Sequence, residues 1–220
     1  MCGRFTSYEE DGEESKKSKD SVSKLIDEAS ALYLESPNHG KLKTKGEVFP
    51  TDIVPILVNT SQNDKVKLKA EIMYWGYPGF PDYKKPGSKP RPLINTKGET
   101  ALKLKTWKDS SLNRRCIVPT GGFYEWSHHD PKKKIKYLFK LPRHRGLFLG
   151  GIYKEFKDEE GLSFPHFSIV TVAANDSMIE IHDRMPLILL KDDFPSWLGE
   201  SLDYQELFTR NSVALSKAAA

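Results

Sequence analysis

Hydrophobic spacing divides the chain into one amphipathic helix, a series of strands and a long irregular middle. Val22, Leu25, Ile26, Ala29, Leu32 and Tyr33 share one face at helical spacing, which predicts a helix over 20–35. Asp20 or Ser21 is its candidate N-cap and Pro37 its stop. The polar stretch 37–47 reads as a loop. Two prolines bracket the entry to a strand through Ile53-Val54 and Ile56-Leu57-Val58, and Lys65–Trp75 continues as a strand with Val66, Leu68, Ala70, Ile72 and Tyr74 alternating. Residues 78–92 hold five prolines and two glycines, so they form an irregular connection of the length that carries function or disorder. A short helix is expected over Leu102–Trp107. Strands are expected at 116–118, 123–126, 137–141, 147–153 and 167–172. Asp176–His182 reads as a short helix capped by Asn175 or Asp176, and 195–198 and 202–208 as two more. The sum is an α+β fold: a mostly antiparallel, curved or barrel-like sheet with peripheral helices. It forms a single domain over residues 1–217, with Ala218-Ala219-Ala220 an appended tail.

Composition narrows the setting more than the function. A chain of 220 residues with 38% hydrophobic and 29% charged residues buries an ample core. No apolar run approaches the roughly 18 residues of a membrane span, and the start lacks the apolar region of a secretory signal. Two cysteines, Cys2 and Cys116, make no disulfide framework. The expected setting is intracellular: the nucleus in a eukaryote, otherwise the cytoplasm. The net charge of +4 does not itself indicate nucleic acid. Lysines nevertheless cluster at 16–24, 41–45, 84–91 and 132–136, and clustered charge can steer a polyanion without a large net charge.

Chemistry concentrates at four places. The first is Met1-Cys2-Gly3-Arg4-Phe5. Removal of Met1 would give one residue both a primary amine, with a reference pKa of about 7.7–8.0, and a thiol near 8.5. Two nucleophiles two carbons apart can take an aldehyde carbon in succession and close a five-membered thiazolidine, which an internal cysteine cannot do. The second is Asn95, after an apolar pair. Its amide could hold a chain terminus in register, or it is an ordinary turn residue. The third is Glu125 in Gly122-Phe123-Tyr124-Glu125-Trp126. Alternation puts it on one face with Phe123. Turned inward it would have a raised pKa suited to a general acid; turned outward it is a solvated strand residue. The fourth is His182-Asp183-Arg184. His182 would close a short helix whose dipole favours its charged form, or His182 and Asp183 simply cap that helix. No metal-ligand spacing and no cofactor loop is present, so neither a metal nor a cofactor is expected. Cys116, in an apolar strand, reads as an inert buried thiol.

Cys2-Gly3-Arg4-Phe5, Trp75-Gly76-Tyr77, Ile94-Asn95, Gly122–Trp126 and His182–Pro186 occur in one order, and together they resemble the SOS response-associated peptidase family from residue 2 to about 198. That family links covalently to abasic sites in single-stranded DNA through a thiazolidine and is credited with freeing its own cysteine. The resemblance implies that Cys2 is the nucleophile, that Asn95 orients it, and that Glu125 and His182 do acid–base work. It implies DNA contacts by Arg4, Thr171 and Arg184, a wedge at Pro50, aromatic contacts at Trp75 and Phe80, and basic contacts at Lys97 and Lys105. The family's Asn-Ala-Arg is Asn95-Thr96-Lys97 here, which keeps the charge but loses the guanidinium fork. The expected partner is single-stranded DNA containing an abasic site, met by a monomer, with no membrane. The rival readings are an N-terminal-nucleophile cysteine peptidase or amidohydrolase, a non-catalytic nucleic-acid module, and redox sensing through Cys2.

Overall fold

The computed structural model describes residues 2–11, 21–35, 40–61, 65–81, 84–85, 87–127, 134–199, 208 and 213–220. Its centre is a closed barrel of five strands: β3 (Ile53–Asn59), β4 (Leu68–Trp75), β6 (Arg115–Thr120), β9 (Leu147–Lys157) and β10 (Ser163–Ala173). Pairing runs β10-β4-β3-β6-β9 and returns to β10, antiparallel at every step except β10 with β4. Closure leaves no free edge among these five strands. Two short strands extend β10 beyond its barrel partners. β5 (Asn95–Lys97) runs parallel to it, with Asn95 opposite Ile169 and Lys97 opposite Thr171. On the other edge β11 (Arg184–Pro186) runs antiparallel, with Arg184 opposite Ala173. β12 (Ile188–Leu189) returns to pair with β9.

A second, open sheet lies beside the barrel. It joins β1 (Arg4–Thr6), β2 (Glu47–Val48), β7 (Phe123–Trp126), β8 (Lys136–Lys140) and β13 (Ser216–Ala219) in the order β13-β8-β7-β1-β2. Gly121-Gly122 carries the chain from barrel strand β6 into β7. A Cβ at Gly121 would lie 2.7 Å from the Thr6 hydroxyl, and one at Gly122 would lie 2.6 Å from the Phe139 carbonyl. Gly122 also has φ +154°. Only glycine lets β1 and β8 approach this closely. The alanines that the sequence suggests as an appended tail end an edge strand here: Ala218 pairs with Leu138 and Ala219 with Tyr137.

The helices are peripheral, as the pattern predicts. α1 (Val22–Leu34) starts at Ser21, whose hydroxyl accepts from the Lys24 amide, and it lies across β3 and β4. Val22, Leu25, Ile26 and Ala29 meet the core, whereas Leu32, expected on that face, is exposed. The stop at Pro37 and all but Phe208 of the helix expected over 202–208 lie outside the described residues. The helix expected over Leu102–Trp107 is instead split. α2 (Gly98–Ala101) ends in a turn on the Thr100 carbonyl, and α3 (Lys105–Asn113) begins afterwards. α4 (Phe194–Leu198) closes the barrel side. Asp176–Ile181 forms successive turns on the Asn175 and Met178 carbonyls rather than a continuous helix, and Asn175 Oδ1 accepts the Ser177 amide at 3.0 Å, the cap role expected of it. β9 and β10 run several residues past their apolar cores as a polar hairpin, which hydrophobicity alone does not mark.

Burial holds two titratable groups of the core in their neutral forms. It raises the Cys116 thiol and the Tyr77 phenol, whose hydroxyl donates to Ser110 Oγ at 3.0 Å. The unfolded chain releases the Tyr77 proton near pH 10 while the folded chain keeps it. Its stabilisation is therefore full below that value and lost progressively above it. Thermal melts should show stability falling with a steepening slope above about pH 9–10. Tyr77→Phe should flatten that slope while costing about 0.5–1.5 kcal/mol at neutral pH for the lost hydrogen bond. An unchanged alkaline slope would locate the effect elsewhere.

Candidate active site

Strand pairing, not proximity along the chain, assembles the residues singled out above. Cys2 precedes β1, which lies antiparallel to β7, with Phe5 opposite Phe123 and Arg4 opposite Tyr124. Phe123 is buried and Glu125, on the same side of β7, is 3% exposed. Glu125 therefore takes the inward of its two orientations. Its Oε1 accepts from the Trp126 amide at 3.3 Å. Cys2 is fully buried, and its carbonyl accepts from Asn95 Nδ2 at 2.8 Å. Asn95 reaches it from β5, on the flank of β10. The other amide atom, Asn95 Oδ1, is buried with no hydrogen-bond partner among the described residues. The Cys2 thiol lies 3.6 Å from the Arg4 carbonyl. Desolvation raises the thiol's pKa well above the ordinary range, and the nearby Glu125 charge raises it further. Cys2, Asn95 and Glu125 thus form one buried cluster, in which the sulfur is held as a neutral thiol.

His182 reaches the same half of β10 from the opposite edge, just ahead of β11. With turns in place of a helix, the dipole argument for its charged form does not apply. Nδ1 lies 2.9 Å from the Arg184 amide and 2.8 Å from Asp183 Oδ1. A backbone N–H can only donate, so Nδ1 accepts from it and the ring proton sits on Nε2. The Asp183 contact, at a carboxylate 82% exposed, needs the doubly protonated ring and is screened by water.

The expected strand-contacting residues divide into three groups. Phe80, at 68% exposure, Lys97 and Lys105 are on the surface. Pro50 is carried on a tight turn. Asp52 Oδ2 accepts from the Phe49 amide at 2.9 Å, and Thr51 adopts a left-handed φ of 80°, a strained conformation for a β-branched residue. Trp75 and Thr171 do not reach the surface. Trp75 is fully buried between Phe5, with ring centroids 4.8 Å apart, and Phe167 at 6.2 Å, and its indole N–H donates to the Ile94 carbonyl at 3.1 Å. The Thr171 hydroxyl donates to the Thr96 carbonyl at 3.3 Å. The expectation that these two side chains touch a strand is corrected by burial. Trp75 ties β1 to the barrel directly beneath Asn95.

Sequence reasoning overlooked the partners of the two arginines. Arg4 packs its guanidinium against Phe49 and Trp126, at 4.5 and 5.2 Å from their ring centroids, and Nη1 lies 3.5 Å from Glu47. Glu47 also holds Lys136, whose ammonium sits 3.9 Å from the Tyr124 ring centroid. Arg184 grips Glu99 with both Nη atoms, at 2.6 and 2.8 Å. The Lys136 and Arg184 contacts respectively hold the Glu47 and Glu99 carboxyls below the usual range. Only the Gly98-Glu99 step after Asn95 carried any local signal, since Glu47 meets Arg4 only through β-pairing.

The comparisons with known proteins agree with this architecture. The family model for SOS response associated peptidase (SRAP) matches residues 1–217. The chain belongs to the SRAP family. It is 30% identical over 207 residues to the abasic site processing protein YoqW of Bacillus subtilis, covering 90% of this chain and 80% of that one. It is 28% identical to YedK of Escherichia coli, also named an abasic site processing protein, covering 94% and 83%. The HMCES protein of Xenopus tropicalis, of the same description, is 26% identical over 76% of this chain and 56% of its own. Among solved structures, a Bacteroides thetaiotaomicron protein superposes with a TM-score of 0.73 at 19% identity, covering 99% and 91%, which shows a shared fold.

The corrected place of Trp75 has a direct consequence. Trp75→Phe should lower stability by about 1–3 kcal/mol through the lost indole hydrogen bond and packing, read by denaturant unfolding. Unchanged stability in the variant would mean that the ring does not anchor β1 to the barrel.

Proposed function

We propose that this SRAP protein recognises abasic sites in single-stranded DNA and traps them covalently through Cys2 after removal of Met1. The observation that carries the reading is the buried cluster of Cys2, Asn95 and Glu125. The Asn95 amide holds the Cys2 carbonyl, and the Glu125 carboxylate lies near enough for its charge to act on the thiol.

The chemistry follows from the groups present. An abasic sugar is mostly a closed hemiacetal, so Glu125 as general acid protonates the ring oxygen and frees the aldehyde. The Cys2 amine adds to the aldehyde carbon and water leaves, giving a Schiff base. The thiol then adds to the C=N carbon and the nitrogen takes a proton, closing the thiazolidine; overall, aldehyde plus aminothiol gives ring plus water. Because burial keeps the sulfur protonated, it must lose its proton as it adds, and the Glu125 carboxylate is suited to receive it. Asn95 Oδ1 supplies an acceptor for the amine N–H once Met1 is gone. The His182 Nε2 proton serves the released hydroxyl. Holding amine, thiol and aldehyde together supplies the entropic part of the advantage. Arg4, Arg184, Lys97 and Lys105 are the proposed phosphate contacts, with Pro50 and Phe80 against the bases. Hydrolysis of the Met1–Cys2 peptide bond must precede this chemistry, and that cleavage is the peptidase side of the reading.

Intact-mass measurement after incubation with an abasic oligonucleotide should show a chain lacking Met1, carrying the oligonucleotide with loss of one water. Cys2→Ser should yield no heat-stable adduct, since a stable thiazolidine needs sulfur; persistence of one would refute ring closure. Glu125→Gln should slow linkage by about 10²–10⁴-fold without abolishing it. Noncovalent affinity for a single strand should weaken steadily with added salt.

A further inference from the structure

Arg184 is already occupied. Its Nη1 and Nη2 donate to the two oxygens of Glu99 at 2.6 and 2.8 Å, in the side-by-side geometry that a phosphate would otherwise take. Nη2 also donates to the Thr171 carbonyl at 2.6 Å. Nε is buried and has no partner among the described residues. Of five N–H groups, three are used and one is shut away, which leaves a single Nη1 proton for a ligand. A guanidinium so arranged cannot present a two-pronged face to a strand while Glu99 stays. The two members of the pair are unequally held. The Arg184 side chain is 14% exposed and anchored across β10, whereas that of Glu99 is 47% exposed at the start of the four-residue α2. The carboxylate is therefore the member free to swing out.

We propose that Glu99 is a specificity-determining residue that stands in for a DNA phosphate, so that a strand gains Arg184 only by displacing it. This rests on the reading that the chain binds single-stranded DNA at this face. On the neighbouring sheet Arg4 is also met by a carboxylate, through a single 3.5 Å contact to Glu47. The exchange of one anion for another makes the phosphate contact at Arg184 nearly neutral in net gain. Undamaged strand is then held weakly, and long residence is left to the covalent step at Cys2. Glu99 acts in this account only as a competitor for the Arg184 guanidinium and touches no reacting atom.

The test uses the full chain with an intact single-stranded oligonucleotide, so that no adduct forms, and reads dissociation constants by fluorescence anisotropy. Glu99→Gln should tighten binding about three- to tenfold, the range expected for release of a half-exposed ion pair. In an Arg184→Gln background the same change should give no gain, because its effect runs through the guanidinium. Glu99→Asp keeps the charge but shortens the arm, and it should give a smaller gain in the same direction; it also serves if Glu99→Gln unfolds. Weaker binding by either Glu99 variant would mean that Glu99 orients Arg184 for the strand and would overturn the proposal. An equal gain in both backgrounds would reduce Glu99 to general repulsion and overturn it too. If the wild-type chain neither binds intact strand in a salt-dependent way nor links to an abasic one, the reading beneath it fails first.

Discussion

β10 carries the structure. One edge pairs with β4 and then β5, the other with β9 and then β11. The β9 and β4 pairings close the barrel. The β5 and β11 pairings, past the point of closure, bring Asn95, Lys97, Glu99, His182 and Arg184 to one half of a single strand. The site residues of the C-terminal half are therefore as rigid as the ladder beside them. Asn95, Lys97 and Arg184 sit on the flanking strands themselves, and Glu99 and His182 lie immediately beside them.

The N-terminal segment joins this frame through a different physical device. β1 is three residues long and would hold little by its own ladder. It is fastened by Phe5 against Trp75, by the cluster of hydrogen bonds at Thr6, Thr120 and Gly122, and by Asn95 on the Cys2 carbonyl. Burial then acts on chemistry as well as on packing. The same exclusion of water that surrounds Cys2 raises its thiol. In the proposed reaction the sulfur therefore gives up a proton as it attacks, and the nearby carboxylate of Glu125 is the group proposed to take it.

Charge on the outer faces follows a consistent pattern. Arg4, Lys136 and Arg184 are each met by a carboxylate from another part of the chain, Glu47 or Glu99. Aromatic rings at Phe49, Tyr124 and Trp126 lie against the first two cations. These are partly exposed pairs whose strength responds to salt and to competing anions. At Arg4, Lys136 and Arg184 a polyanion would have to compete with a carboxylate already in place.

Local pattern in the chain determined the strands with apolar cores, the amphipathic helix with its Ser21 cap, the α+β class and the inward face of Glu125 as one of two options. Short-range periodicity encodes these because burial of one face needs only neighbours in sequence. The ordered motifs determined the family. Two- and three-residue strands, the polar hairpin of β9 and β10, and the turns at 176–181 carry no such period, since their hydrogen bonds are made with distant segments or by Asn175. Tertiary structure alone decided that Trp75 is a core ring, that Thr171 is spent on Thr96, and that Glu99 fills the fork of Arg184. Each of those outcomes depends on which residues meet across strands far apart in the chain, and that is set by closure of the barrel.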